Sequence, residues 1–266
     1  MAARVRRSLL GLGLAVAASM ALPIPTARTE SAPTIAAAAD LQFALTDVAA
    51  AFKAQTGRDV KLTFGSSGNF FRQIQDGAPF EVYLSADEKF VFDLAEAGLT
   101  KDEGELYAIG RIVIMVPHGS PLEADGRLAD LGAALRDGRV TRFAIANPDH
   151  APYGRRAEEA LRHQGLWDDL QDKLVFGENV SQAAQFAMAG TAEGGIIAYS
   201  LALAPDVERL GEFELIPDAW HEPLRQRMAL LRGAGATAEL FFAFMQEKPA
   251  RDIMRRYGFV LPGEAM

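Results

Sequence analysis

The stretch TIAAAADLQFALTDVAAAFKAQT, residues 34–56, places a short apolar run directly before a longer amphipathic one. The run Thr34–Ala38 is typical of a buried strand. Asp40 then opens a predicted helix that ends near Thr56, because apolar residues recur at helical spacing on one face. These residues are Leu41, Leu45, Val48 and Phe52. A strand followed at once by a helix is the unit from which α/β folds are built, so this stretch decides the fold class.

The same unit recurs along the chain. Further strands are predicted, most of them separated by amphipathic helices, at Val60–Phe64, Val82–Leu84, Arg111–Val116, Phe143–Ala146, Leu174–Phe176, Gly195–Ala198 and Met228–Leu231. Strands that alternate with helices predict mostly parallel sheets in α/β layers. The series breaks near Pro117 and then begins again, which indicates two such lobes. Ligands of open α/β sheets bind at the carboxyl ends of the strands, beside helix N-termini.

Residues 1–32 differ in kind from the rest of the chain. Arg4, Arg6 and Arg7 form a basic start, residues 8–22 are apolar and uncharged, and small residues and prolines follow. This three-part pattern predicts a secretory signal peptide. A short N-terminal anchor is the alternative, and the paired arginines leave the general secretory and the twin-arginine routes open. The chain has no cysteine, so neither a lipid-modified cysteine nor a disulfide is expected, and the exported product should be a soluble periplasmic protein.

The charge balance limits the partners. The whole chain carries −8, and residues 1–32 carry +3, which leaves about −11 on the remainder. Such an acidic surface disfavours nucleic acid and anionic membranes as partners. An anionic ligand would have to be captured by local dipoles, because the overall field opposes it.

Four strand-to-helix junctions carry capping or donor groups where a helix should begin. They are Asp40, Gly65–Asn69, Asn147–Gly154 and Gly177–Ser181. Helix N-termini leave free N–H groups and a partial positive charge. Several of them aimed at one cleft form an anion site that needs no lysine or arginine. A plain helix cap is the ordinary interpretation of each junction alone, but their number and order favour a site.

Seven short motifs follow one another along the chain: Ala36–Ala38, Phe64–Gly68, Leu84–Asp87, Tyr107–Arg111, Asn147–Gly154, Gly177–Gln182 and Arg256–Phe259. This ordered set resembles the periplasmic molybdate-binding proteins of ABC importers and covers essentially the whole chain after the signal segment. The resemblance implies a two-lobed, type II periplasmic-binding-protein fold, an α/β fold whose lobes are joined by a hinge. We expect one lobe at 33–116 plus 217–266 and the other at 117–216.

The resemblance also implies a ligand and partners. The ligand would be molybdate or tungstate, held by hydroxyls and main-chain N–H groups without charged side chains and without a cofactor. Ser67 matches a serine that offers its hydroxyl and its backbone N–H. Tyr153 and Val180 match main-chain donors, so the ring of Tyr153 would matter little. The partner would be an ABC transporter membrane permease with its ATPase subunits, and the binding protein is expected to be a monomer.

Two positions depart from the pattern of the family. Asp40 stands where the family has a serine after the alanine run. A ligand-facing tyrosine of the second lobe falls at Ala198, with Tyr199 one residue later. A shift of one residue in a strand points the side chain to the other face, so Tyr199 can substitute only where the strand has ended or bulged. Asp40, Ala198 and Tyr199 complete the candidate ligand-binding set.

Asp40 allows two interpretations. As a helix N-cap, its carboxylate would turn to its own backbone and leave the ligand to N–H groups. Facing the cleft, it would repel a fully deprotonated dianion but accept a hydrogen bond from a protonated oxyanion such as phosphate or arsenate. Transport of such a protonated oxyanion is therefore the alternative function.

Enzymatic and regulatory functions find little support in the sequence. The four histidines, at positions 118, 150, 163 and 221, lack metal-ligand spacing. His150 lies in a loop near the expected cleft and is expected to be structural or solvent-facing. A Gly-x-Ser-x-Gly elbow and a nucleotide-binding glycine loop are both missing, and so is a DNA-binding helix-turn-helix. We therefore expect a binding protein and not an enzyme.

Overall fold

The computed structural model describes residues 1–2 and 31–264. The predicted signal peptide, apart from its ends, lies outside the described residues. The elements below all belong to the unit Ala32–Met266. Within the described part of the chain, no helix is long and apolar enough to cross a membrane.

The described residues form ten strands and eleven α-helices. The strands are β1 (Thr34–Ala38), β2 (Lys61–Gly65), β3 (Val82–Ser85), β4 (Glu105–Gly110), β5 (Ile112–Pro117), β6 (Phe143–Ala146), β7 (Leu174–Gly177), β8 (Gly195–Ala198), β9 (Gly211–Leu215) and β10 (Leu224–Leu230). The helices are α1 (Gln42–Thr56), α2 (Ser67–Gln75), α3 (Glu88–Glu96), α4 (Ala129–Asp137), α5 (Pro152–His163), α6 (Trp167–Leu170), α7 (Val180–Met188), α8 (Tyr199–Ala202), α9 (Pro205–Glu208), α10 (Ala236–Phe244) and α11 (Lys248–Arg256). Short 3₁₀ turns cover Ala39–Leu41, Gln171–Lys173 and Asp218–Trp220.

The strands form two sheets of five, in the orders β2-β1-β3-β10-β4 and β7-β6-β8-β5-β9. In each sheet four strands run in one direction and one strand, β10 or β5, runs against its two neighbours. The prediction of an α/β protein with mostly parallel sheets is therefore confirmed. We call each sheet with its helices a lobe, the first lobe carrying β1 and the second carrying β5.

The chain passes between the sheets twice. It leaves the first sheet between β4 and β5, at Arg111, and returns between β9 and β10, across residues 216–223. The predicted boundary after residue 116 assigns residues 112–116 of β5 to the first lobe, whereas this strand pairs with β8 and β9 of the second sheet. An ion pair joins the two crossing segments, with 3.2 Å between Nε of Arg111 and Oδ1 of Asp218.

Two strands that the sequence pattern did not predict, β4 and β9, lie at sheet edges. Both are partly exposed and carry glutamates among their apolar residues, so they lack the continuous apolar run of a buried strand. The last strand, β10, begins at Leu224, four residues before the predicted Met228. Its Arg225 and Arg227 interrupt the apolar pattern, because they point away from the buried face that carries Gln226.

The register of the parallel strands places the junctions side by side. Ala38 at the end of β1 pairs with Gly65 at the end of β2. In the second sheet, Ala146 at the end of β6 pairs with Gly177 at the end of β7. Carboxyl ends of neighbouring parallel strands meet at one sheet edge, so each lobe presents two helix starts at the same edge.

Candidate functional site

A small cavity lies where the two lobes meet. The first lobe contributes Ala38–Asp40, Gly65–Ser67 and Ala86, and the second contributes Ala151–Tyr153 and Asn179–Val180. All four junctions singled out in the sequence therefore reach one cavity. Among the described residues that line it, Asp40 is the one with a carboxyl group, and none has a basic side chain.

The cavity faces the first turns of α2, α5 and α7. Ser66 caps α2 by accepting from the N–H of Asn69, and Asn179 caps α7 by accepting from the N–H of Gln182. Each capping side chain accepts from the third N–H of its helix. The first N–H of α7, at Val180, takes no part in the cap. N–H groups in a first helical turn have no intrahelical acceptor, and together they carry a partial positive charge. The cavity wall is thus suited to an anion without any cationic side chain.

Ser67 is the first residue of α2 and is fully buried. Its Oγ accepts from the N–H of Ala86 at 2.9 Å, and its carbonyl oxygen accepts from the hydroxyl of Tyr83 at 2.8 Å. Both contacts use oxygen lone pairs, so the hydroxyl proton of Ser67 is available to an acceptor in the cavity. This placement suits the donor role expected from the sequence.

Asp40 lies in the 3₁₀ turn and caps no helix. α1 begins at Gln42, its N-cap is Leu41, and no side chain bonds to the cap. The carboxyl Oδ2 of Asp40 instead accepts from the hydroxyl of Tyr153 at 3.0 Å and from Nε2 of Gln226 at 2.7 Å. Its Oδ1 is buried with no hydrogen-bond partner. Of the two interpretations of Asp40, the position on the cavity wall matches the second.

Burial raises the pKa of Asp40 from 3.8 to about 6. The hydrogen bonds from Gln226 and Tyr153, and the nearby N–H of its own backbone, oppose this rise without cancelling it. Burial also raises the pKa of Tyr153 well above its usual value, and the neighbouring Asp40 adds to the rise. The phenol of Tyr153 therefore stays protonated and acts as a donor.

Gln226 is a site residue that the sequence analysis missed. It is fully buried in β10, where its Oε1 accepts from the hydroxyl of Tyr107 at 2.7 Å. This bond turns the amide NH₂ group toward Asp40 and Tyr153. A polar residue between Leu224 and Met228 at a spacing of two is the signal that could have revealed it, because that spacing defines the buried face of a strand.

The ring of Tyr153 matters more than its family position implies. Tyr153 is the second residue of α5, which suits a main-chain donor, but its hydroxyl also bonds to Asp40. Gly110 makes room for this network, since a Cβ there would lie 2.3 Å from the Tyr153 hydroxyl oxygen and 2.6 Å from Nε2 of Gln226.

Ala198 and Tyr199 do not line the cavity. Ala198 ends β8 and is fully buried. The strand does end there, as a substitution by Tyr199 would require, but Tyr199 starts α8 and its ring lies against Phe213 and Gly258. The structure thus brings four of the six candidates together, Asp40, Ser67, Tyr153 and Val180, and leaves these two outside.

Several hydrogen bonds join the lobes around the cavity. The hydroxyls of Ser181 and Ser200, in the second lobe, donate to the carbonyl oxygens of Ala39 and Asp40 at 2.9 and 2.8 Å. On the opposite wall, the N–H of Gly68 donates to the carbonyl oxygen of His150 at 2.9 Å.

His150 is a buried structural residue at this interface. Its Nδ1 lies 2.9 Å from Oγ of Ser66, and it is 8% exposed. Its Nε2 lies 3.6 Å from a carboxylate oxygen of Glu178, beyond hydrogen-bond distance. In the residues that the structure describes, no group of three or more histidine, cysteine, aspartate or glutamate side chains is placed to hold a metal ion.

The two five-stranded sheets and the cavity between them are those of the periplasmic-binding-protein fold, and comparison with known proteins agrees. The family model described as bacterial extracellular solute-binding protein matches residues 33–260, and the chain belongs to this family.

The relatives it matches include molybdate-binding proteins. The molybdate-binding protein ModA of Rhodobacter capsulatus is 35% identical over 92% of this chain and 94% of its own length. ModA of Escherichia coli K12 is 30% identical over 96% of this chain and 99% of its own length. The structure of the periplasmic molybdate-binding protein of Azotobacter vinelandii superposes with a TM-score of 0.77 at 31% identity, over 86% of this chain and 99% of that one. The resemblance drawn from the seven motifs is therefore confirmed.

Proposed function

We propose that this protein captures molybdate or tungstate in the periplasm and delivers it to an ABC transporter membrane permease with its ATPase subunits. The observation that carries the proposal is the meeting of four strand-to-helix junctions from two lobes at one cavity that lacks lysine and arginine. Relatives named as molybdate-binding proteins over nearly the full chain support the same ligand. The signal-peptide pattern of residues 1–32 supports the location.

The wall of the cavity suits a small tetrahedral oxyanion. The hydroxyl of Ser67 and the main-chain N–H groups of Tyr153 and Val180 approach from both lobes, so their donors surround the ion. Fixed donors in a site shielded from water bind an anion strongly, since each bond is charge-assisted. An ion held by both lobes also stabilises their closed arrangement, which is the state that a permease would recognise.

We propose a binding function without catalysis. A hydroxyl–imidazole pair beside the cavity, Ser66 of the cavity wall with His150, resembles part of a nucleophile–base pair. However, Ser66 caps α2, is 4% exposed, and lies in the contact between the lobes. The hydrogen bond between Ser66 and His150 therefore holds α2 against the loop before α5. We expect no turnover in a panel of ester and phosphoester substrates.

Isothermal titration calorimetry with molybdate, tungstate, sulfate, phosphate and arsenate tests the proposal. We expect binding of molybdate and tungstate, and little or no heat from the other three ions. Phosphate or arsenate binding with silent molybdate would overturn the choice of ligand. Silence with all five ions would overturn the oxyanion site itself. Light scattering on the same sample tests the monomer that we propose.

A further inference from the structure

The carboxyl group of Asp40 has the hydrogen-bond pattern of a neutral acid. Its Oδ2 accepts two hydrogen bonds, which fills both lone pairs of a carbonyl oxygen. Its Oδ1 has no partner, although Asp40 is 1% exposed and lines the cavity. An ionised oxygen buried without a donor is unfavourable, whereas a protonated one supplies an O–H donor that needs only an acceptor in the cavity.

The donors to Oδ2 are held in place by their own partners. Tyr107 donates to Oε1 of Gln226, which commits the NH₂ group of Gln226 to Asp40. Tyr153 also accepts from Gln226, at 3.0 Å, so its hydroxyl proton is directed to Asp40. With Oδ2 fixed as the double acceptor, Oδ1 is the oxygen left to face a ligand.

Among the described residues, no neighbouring cation stabilises an ionised Asp40. Tyr153 from α5 and Tyr107 from β4 face the carboxyl group, and burial keeps both phenols neutral by raising their pKa values well above the usual range. His150 lies across the cavity and is engaged with Ser66. In the described part of the chain, none of the charged side chains on the elements packed around Asp40 contributes to its pKa, and this includes the arginines of α5 and β10.

We propose that Asp40 binds the oxyanion in its neutral, protonated form and donates its Oδ1 hydrogen to a ligand oxygen. Capture of a dianion therefore takes up one proton from solution whenever Asp40 is ionised in the free protein. The inference rests on the proposed function, because it assigns the protonation state of that same site. It also removes the repulsion that a carboxylate beside a dianion would produce.

Calorimetry with molybdate in buffers of different ionisation enthalpy measures the proton uptake. At about pH 8, two units above the Asp40 pKa of about 6, the wild-type protein should take up close to one proton per ion. Its affinity should fall about tenfold for each pH unit above about 6, as long as the bound protein keeps the proton. At more acidic pH the dependence on Asp40 should disappear.

Asp40→Asn is the decisive variant. Its amide oxygen can accept the two bonds from Tyr153 and Gln226, and its NH₂ group can donate to the ligand. We expect molybdate binding with no proton uptake and with an affinity that does not change with pH. Asp40→Ser, which also supplies a donor, should behave in the same way. Asp169→Asn removes an exposed carboxylate from α6, away from the cavity, and should keep the proton uptake of the wild type.

Three outcomes would overturn the inference. Wild-type molybdate binding without proton uptake at about pH 8 would show that Asp40 stays ionised in the complex. Uptake that persists in folded Asp40→Asn would place the proton elsewhere. Loss of binding in both folded Asp40 variants, with uptake in the wild type, would place the proton on the ligand. Absence of binding by every oxyanion would instead overturn the proposed function, and this inference with it.

Discussion

At the scale of single residues, Asp40 combines full burial with a position on the cavity wall. Buried carboxyl groups without a cationic partner are normally neutral, since desolvation penalises the charge. Ionisation of Asp40 therefore lowers the stability of the folded state relative to the unfolded state. A group of this kind links the stability of the ligand-free protein to pH.

Asp40→Asn should stabilise the ligand-free protein at neutral pH. Because the folded-state pKa of about 6 lies above the ordinary 3.8, the stability that protonated Asp40 contributes is fully present below 3.8 and is lost as the pH rises through 6. The shift corresponds to about 3 kcal/mol. Thermal unfolding should show the stability of the variant rising relative to that of the wild type between about pH 4 and about pH 6, and the difference should stay constant at higher pH. A stability difference that does not change with pH would contradict the raised pKa.

Ser67→Ala should weaken molybdate binding by about tenfold to about a hundredfold, since a hydrogen bond to a charged group contributes about 1.5–3 kcal/mol. It also leaves the N–H of Ala86 without its acceptor, so thermal unfolding must accompany the calorimetry. Ser120→Ala is the matched control, because this hydroxyl bonds to the carbonyl oxygen of Glu193, away from the cavity. An unchanged dissociation constant in Ser67→Ala would remove this residue from the site.

At the scale of elements, the start of α2 depends on a close approach to the second lobe. The N–H of Gly68 donates to the carbonyl oxygen of His150, and a Cβ on Gly68 would lie 2.6 Å from that oxygen. No side chain fits there without separating α2 from the loop before α5. Glycine at this position thus allows the two walls of the cavity to meet.

Gly68→Ala should therefore weaken molybdate binding by at least about tenfold, a cost of about 1.4 kcal/mol or more. Its effect on thermal stability should be small, because the clash lies between lobes and not within the core of either. Gly132→Ala in α4 is the control, where the new methyl group would meet only the ends of the Leu166 and Arg136 side chains. Wild-type affinity in Gly68→Ala would show that the lobes need not approach this closely.

The sequence predicts the strands that lead into the site better than it predicts β4 and β9. Apolar strands such as β1 and β6 and the polar junctions after them follow local patterns, and those junctions meet at the cavity. The sequence analysis missed β4 and β9 because glutamates interrupt their apolar residues. The sequence analysis also missed Gln226 and the role of the Tyr153 hydroxyl in the site. Their contacts with Asp40 join residues 186 and 113 positions apart, which no local pattern records.

At the scale of the whole molecule, two crossing segments connect the lobes, one at Arg111 and one at residues 216–223. A pair of short connections permits hinge motion. Several hydrogen bonds hold the lobes together around the cavity, and the proposed ion would accept further hydrogen bonds from both sides. We therefore expect ligand to shift the protein toward a more compact arrangement.

Small-angle X-ray scattering with and without molybdate measures this change, and we expect the radius of gyration to fall on binding. An identical radius of gyration in the two states would argue against a hinge.

Arg155→Ala removes a contact of 3.5 Å to Asp87 across the lobes. It should weaken molybdate binding by less than about fivefold, because partly exposed ion pairs contribute at most about 1 kcal/mol.

The central claim places the ion between helix starts from both lobes. Crystals grown with molybdate, with data collected at the molybdenum absorption edge, test it directly. We predict one strong anomalous peak within hydrogen-bond distance of the Ser67 hydroxyl and of the main-chain nitrogens of Tyr153 and Val180, with Oδ1 of Asp40 facing it. A peak elsewhere in the molecule, or none in the cavity of a protein that binds molybdate in solution, would contradict the account.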